Sequence, residues 1–271
     1  MRFGKGHGTE NDFVILPDPG NALDLPASLV ARLCDRRAGL GADGVLRAVR
    51  TAELAGGRGG APEWFMDYRN ADGSVAEMCG NGVRVFTRYL LDHGLAGGPE
   101  LAIGTRAGTR HVRAEPDGRI TVDMGPAQVL GPGQASLGGA GCQGLAISVG
   151  NPHLACVVDA PLDGYDLSAP PAFDHGLFPD GANLELVRVT GERAAQMVVY
   201  ERGSGPTRSC GTGAVAAAVA AAEASGARGG SWAIQVPGGD LTVTLGPPAK
   251  LTGPAIIVAE GQLTPAWLAA G

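Results

Sequence analysis

Along most of this chain, apolar residues alternate with polar ones over short stretches, and glycine-rich turns separate the stretches. That pattern predicts many strands and few helices. Residues 12–16 (DFVIL), 44–49 and 63–68 read as strands, the last two separated by a Gly/Ala-rich loop around 56–62. Residues 109–124 form a predicted hairpin turning at Pro116-Asp117-Gly118. Further strands are predicted at 145–149, 154–159, 184–189 and 197–201, and WAIQVPGGDLTVTL reads as a hairpin turning at Gly238-Gly239. Residues 26–36 read as a helix with Leu29 and Leu33 on one side. Without strict strand–helix alternation, a doubly wound parallel sheet is not expected.

Two segments carry stronger helical signals. Val83, Phe86, Thr87 and Leu90 recur at helical spacing, with Gly94 as the stop. Residues 214–224 are almost wholly Ala and Val on every side, which is the mark of a buried helix. Each helix follows a short cysteine motif, Cys79-Gly80-Asn81-Gly82 and Cys210-Gly211-Thr212-Gly213. Tyr68 precedes the first cysteine by 11 residues and Tyr200 precedes the second by 10. This faint repeat fits two similar α+β halves. In each, a curved sheet surrounds a central helix, and both helix N-termini face one cleft.

Composition narrows the class of protein. Of 271 residues, 44% are hydrophobic and 18% charged, as in a globular protein. Glycine (45) and proline (19) make up about a quarter of the chain, and regular apolar segments between them read as turns rather than disorder. A net charge of −6 with no basic run argues against nucleic acid and against an anionic membrane. The N-terminus lacks the apolar core of a signal peptide and no run of about 18 apolar residues occurs, so the cytoplasm is the expected compartment. Five cysteines without CxxC spacing do not make a disulfide framework or a zinc ribbon, and the histidines lack metal-ligand spacing. No phosphate-binding glycine loop follows a clear strand, so neither a metal nor a nucleotide cofactor is expected.

The chemistry therefore rests on the two cysteine turns. Cys34, Cys142 and Cys156 read as buried small residues. A thiol at a helix N-terminus meets the positive end of the helix dipole, which favours thiolate and lowers its pKa. The exposed N–H groups of such a turn also form an anion site, and a carboxylate bound there brings its α-carbon beside the thiol. Gly150-Asn151-Pro152-His153 is either a plain turn or an amide and an imidazole aimed at a substrate. Glu201-Arg202 is either a surface pair or a carboxylate clamp beside the second cysteine loop. The loops 8–13 and 69–73 are explained as well by turn chemistry as by ligand binding.

In order and spacing, HGTENDF (7–13), RRAGLGADGV (36–45), YRNADGSVAEMCGNGVR (68–84), GNPH (150–153), ANLELV (182–187) and YERGSGPTRSCGTGA (200–214) together resemble the diaminopimelate epimerase family, across most of the chain. The resemblance implies two pseudo-symmetric α+β halves with the active site in the cleft between them. The expected boundaries are 1–123 with 263–271 for the half carrying Cys79, and 124–262 for the half carrying Cys210. It also implies cofactor-independent interconversion of LL- and meso-2,6-diaminopimelate, in lysine and peptidoglycan-precursor biosynthesis, by a cytoplasmic homodimer. In the LL-to-meso direction Cys210 as thiolate would remove the α-proton and Cys79 as thiol would deliver one to the opposite face. Gly80, Asn81, Gly211 and Thr212 would hold the α-carboxylate. His153 and Glu201 match residues that assist at the reacting centre, and Asn11, Asn70, Asn151, Asn183, Glu201 and Arg202 match residues that hold the substrate, Arg202 at its distal end.

One position departs from the family pattern. Many members carry Gln after the Asp of the GxGxDQ-like loop, where this chain has Gly44. Three other readings remain: a proline or hydroxyproline racemase, a thiol hydrolase built on Cys79, His153 and Glu201, and a thiol/disulfide switch. A proline-like substrate has no second charged end for Arg202, and a hydrolase leaves Cys210 unused.

Overall fold

A computed structural model describes residues 1–55 and 61–270, so the part of the glycine-rich loop at 56–60 lies outside the described residues. The chain divides into two compact units, one of Met1–Val122 with Pro254–Gly271 and one of Asp123–Gly253.

The first unit opens with β1 (Arg2–Gly8), β2 (Asn11–Pro17), α1 (Ala27–Cys34), β3 (Gly44–Arg50) and β4 (Trp64–Asn70). It continues through α2 (Gly80–Asp92), β5 (Glu100–Thr105) and β6 (Gly108–Ala114), and β7 (Ile120–Gly125) leads out of it. The second runs through β8 (Gln128–Leu137), β9 (Ala140–Ser148), β10 (Pro152–Val157), β11 (Ala172–Phe173), β12 (Asn183–Gly191), β13 (Ala194–Glu201) and β14 (Gly205–Thr207). After α3 (Gly211–Ala224) come β15 (Gly230–Val236), β16 (Gly239–Leu245) and β17 (Ala249–Gly253). The chain then returns to the first unit as β18 (Ile256–Gln262) and α4 (Pro265–Ala269).

Strand pairing turns the faint sequence repeat into a repeat of topology. In the first unit the order is β18-β1-β2-β3-β4-β5-β6-β7; the β2–β3 and β4–β5 pairs are parallel and the rest antiparallel. In the second, β8-β9-β10-β12-β13-β15-β16-β17 repeats that series, with β10–β12 and β13–β15 parallel. The fold is therefore α+β and mainly antiparallel. The match also moves one expected boundary. Residues up to 262 were expected in the second half, yet β18 pairs with β1 from Arg2↔Gln262 to His7↔Ile256. It fills the place in the first sheet that β8 fills in the second.

Each cysteine-led helix is the crossover of an equivalent parallel pair, β4-α2-β5 and β13-α3-β15. α2 lies against β1 to β5 and β18, and α3 against β9, β10, β12, β13, β15, β16 and β17. The all-round Ala and Val of α3 follow from this, since Ala214 to Ala218 are all fully buried. On its other face the first sheet carries α1, whose Val30, Leu33 and Cys34 pack on Val14, Leu16 and Val45. β2 is covered on both sides, which explains its unbroken apolar run in place of alternation. Cys142 and Cys156 sit in the corresponding cluster of the second unit. Among the described residues no helix is long and apolar enough to cross a membrane.

The packing of α3 sets an expectation. Ala217→Leu inserts a branched side chain where Ala217 is fully buried, and should lower stability by about 1–3 kcal/mol. Urea unfolding checks this; a midpoint equal to that of the parent would show that α3 is not tightly enclosed.

Candidate active site

In the first unit, Cys79 has extended backbone (φ −139°, ψ 120°) and caps α2, its Sγ accepting the Gly82 N–H at 3.4 Å. Gly80 and Asn81 form the first turn, and both are buried. The Cys79 thiol lies 3.6 Å from Asn11 Oδ1, which also accepts from Asn81 Nδ2 at 3.2 Å. Asn11 is held in that orientation because its Nδ2 donates to Asp43 Oδ2 at 2.8 Å. Asp43 in turn takes the Asp12 N–H at 3.1 Å and an ion pair from Arg36 at 2.7 Å. Burial, aided by the Asp12 charge, pushes the Asp43 carboxyl up despite these donors.

Asn70 ends β4, and its side chain donates to Ser74 Oγ at 2.9 Å, within its own turn. Directly across from it stands Gly44. A Cβ on Gly44 would lie 2.5 Å from the Arg69 carbonyl oxygen and 2.8 Å from the Tyr68 ring. With β3 and β4 this close, a side chain at position 44 would require the backbone here to shift.

The second unit gathers more of the expected residues. Cys210 is buried, has extended backbone (φ −125°, ψ 119°) and caps α3, and Gly211 begins the helix. Thr212 Oγ1 lies 3.6 Å from Cys210 Sγ and accepts from Asn151 Nδ2 at 3.4 Å. Asn151 Oδ1 meets His153 Nε2 at 3.0 Å, and His153 Nδ1 faces Glu185 Oε1 at 2.7 Å. Asn183 Nδ2 lies 3.5 Å from the same Nδ1, and Asn183 Oδ1 accepts the Arg202 N–H at 2.8 Å. The Arg202 side chain is exposed. Glu201 accepts from the Thr207 hydroxyl and from the Cys210 thiol. Burial pushes the Glu201 carboxyl up.

The helix dipole does not prevail at Cys210. Burial, then the charges of Glu201 and Glu185, drive its thiol well above the ordinary range, outweighing the Thr212 and Gly213 donors. A hydrolase triad fails on its acid, because His153 is held by Glu185 and Asn151 rather than by Glu201. The isolated cysteines are core residues, with burial pushing Cys34 to about 11 and Cys156 to about 12.

Two residues of these networks escape a reading of the sequence. Glu185 is fully buried on β12, and its Oε2 has no partner among the described residues. A Cβ on Gly213 would come 2.7 Å from Glu185 Oε1, so the second glycine of the motif makes room for this carboxylate. The signal available was a lone acid inside an apolar strand, ANLELV. Asp43 sits beside Gly44 in a glycine-rich loop, where no local pattern marks it. Among the described residues no group of three or more His, Cys, Asp or Glu could hold a metal ion.

Comparison with known proteins bears on the whole chain. The family model for diaminopimelate epimerase matches residues 3–130 and 145–262. The diaminopimelate epimerase of Thermobifida fusca is 60% identical over 97% of this chain and 98% of its own length. That of Rhodococcus opacus is 51% identical over 98% of each. Among solved structures, a hydroxyproline epimerase from Agrobacterium vitis superposes with a TM-score of 0.69 at 16% identity, covering 97% of this chain and 92% of that one. A PhzF-family phenazine biosynthesis protein from Bacillus anthracis gives 0.68 at 14%, covering 97% and 99%. These distant structures share the fold. At half or more identity over nearly the full length, the sequence relatives decide the family: the chain is an isomerase and belongs to the diaminopimelate epimerases.

Proposed function

We propose that the protein inverts one α-carbon of LL-2,6-diaminopimelate to give the meso isomer, without a cofactor, by passing protons through Cys79 and Cys210. The observation that carries the reading is that both thiols cap topologically equivalent helices, each in a buried first turn. In the LL-to-meso direction the Cys210 thiolate takes the α-proton and the Cys79 thiol delivers one to the opposite face. The roles reverse for the return.

The α-proton of an amino acid is very weakly acidic, so charge shifting onto the α-carboxylate must be met by fixed donors. The N–H groups of Gly80, Asn81, Gly211 and Thr212 are such donors, at the positive ends of two helices. Ionising Cys210 in its buried setting needs a base at hand. Glu201 already accepts the thiol hydrogen, and its raised pKa suits it to take that proton. Glu185 fixes the His153 ring through Nδ1, and Nε2 holds the Asn151 amide beside Thr212, where that amide orients polar groups of the substrate. Asn11, Asn70 and Asn183 contribute amides, and the exposed Arg202 guanidinium suits the distal carboxylate. That distal charge favours diaminopimelate over a proline-like substrate. The same reading assigns the reaction to lysine and peptidoglycan-precursor biosynthesis, by a homodimer in the cytoplasm.

Two results are expected. Purified, reduced protein should form meso-diaminopimelate from the LL isomer with no additive, and Cys79→Ala and Cys210→Ala should each abolish turnover; full activity in either variant would sink the two-thiol relay. Glu201→Gln should lower kcat by roughly 10²–10⁴. Because the Glu201 charge helps hold the Cys210 thiol up, the same substitution should move alkylation of Cys210 to lower pH. An unmoved alkylation profile would mean that the two groups do not interact.

A further inference from the structure

Asp43 ends the loop that leads from α1 into β3. It is locked to β2 in both directions: its N–H donates to the Asp12 carbonyl at 2.9 Å, and its Oδ2 accepts the Asp12 N–H at 3.1 Å. Its Oδ1 takes Arg36 Nη2 at 2.7 Å. A backbone N–H and a guanidinium can only donate, so both oxygens of Asp43 act as acceptors. The Asn11 amide stands 2.8 Å from Oδ2 and must turn its NH₂ there, since its carbonyl would set two acceptors against each other. The other end of that planar amide, Oδ1, is thereby turned to the Cys79 sulfur at 3.6 Å.

An amide oxygen carries no hydrogen. It accepts from a thiol and turns a lone pair toward a thiolate, so it favours the protonated form of Cys79. The Gly82 N–H, 3.4 Å from the same sulfur, acts in the opposite sense. Cys210 meets a different neighbour: Thr212 Oγ1, at 3.6 Å, is a hydroxyl that can donate or accept. Other charges surround the first turn. Asp12 is shared between Lys5 of β1 and Arg36, and Arg32 of α1 donates to the Trp267 carbonyl. Arg47 and Arg50 of β3 pair with Asp18 and Glu63, and Asp67 of β4 pairs with Arg69 and Arg106. Glu260 of β18 pairs with His93, Arg88 of α2 pairs with Asp92, and the buried Arg84 donates to the Pro254 carbonyl and the Thr9 hydroxyl. The His7 ring accepts the Glu10 N–H, while Arg2, Glu77 and Glu100 are exposed. All of these are common to the native protein and the variants below, so they cancel from the comparison.

We infer that Asp43 is a positioning residue for catalysis: by fixing which end of the Asn11 amide meets Cys79, it holds that thiol as a proton donor. The role it gives to Cys79 rests on the two-thiol reading above. In the LL-to-meso direction Cys79 delivers the proton, and the Asn11 carbonyl keeps the thiol hydrogen in place until it is needed. In the return direction the Cys79 thiolate stands against the same carbonyl, which makes it a stronger base toward the α-proton. Asn11 therefore acts on the thiol as well as on the substrate, and the carboxylate behind it decides how.

The test is alkylation by iodoacetamide across pH, with the modified cysteine identified by peptide mass, on a double-mutant cycle of Asp43→Ala and Asn11→Ala. It does not depend on turnover, so it can fail or succeed apart from the epimerase reading. Asp43→Ala frees the Asn11 amide to turn and should lower the Cys79 midpoint by about one unit, roughly tenfold more thiolate at any pH below the midpoint. Asn11→Ala removes the acceptor and should lower it as well. Adding Asp43→Ala to Asn11→Ala should then change the midpoint little, because the carboxylate acts through the amide. A drop in the Asn11→Ala background as large as in the native one would overturn the inference, since Asp43 would then act only through its charge. So would an unshifted or raised midpoint in folded Asp43→Ala, or in Asn11→Ala even if no Asp43 variant folds.

Discussion

A helix that begins inside a protein leaves the N–H groups of its first turn without partners in the helix, and water cannot reach them to compensate. In both units this burden falls directly after a cysteine. α2 and α3 are crossovers between parallel strands, enclosed by the sheet they connect, and their first residues Gly80 and Gly211 are buried. The small residues of the two turns follow from that enclosure, most clearly at Gly213, where a Cβ would press on Glu185. Donors fixed in this way point at an anion before any ligand arrives, which is what a reaction that builds charge on a carboxylate needs.

The two turns are alike in backbone and unlike in charge. Cys210 lies among Glu201, Glu185 and the His153 ring, and its thiol is driven up. Cys79 instead faces Asn11, which Asp43 holds in place. The duplicated topology thus supplies two equivalent thiol positions with different polar surroundings.

Strands with clean apolar runs were legible in the sequence, as were both cysteine-led helices. β1, β8 and β18 were not. β1 and β8 are broken by glycine and proline in RFGKGHG and QVLGPGQASL, and β18 exposes most of its residues, so none shows a one-sided apolar pattern. Because β18 belongs by pairing to β1, the boundary of the first unit depended on long-range hydrogen bonds that no local pattern encodes. At the site, the residues with special backbone or thiol chemistry were readable. Glu185 and Asp43 act through burial and partnership, and both needed the fold to be seen. The helix-dipole argument for a low thiol pKa failed at Cys210, since two nearby carboxylates and desolvation outweigh a half-charge at a helix end.

The most direct measurement of the two-thiol relay is the early fate of hydrogen when LL-diaminopimelate is converted in D₂O. The account predicts that newly formed meso product carries deuterium at the inverted carbon while unreacted LL substrate carries none, because one thiol removes hydrogen and a different, solvent-exchanged thiol delivers deuterium. Product that retains the original hydrogen, or LL substrate that gains label as fast as product appears, would mean that a single base serves both faces and would contradict it.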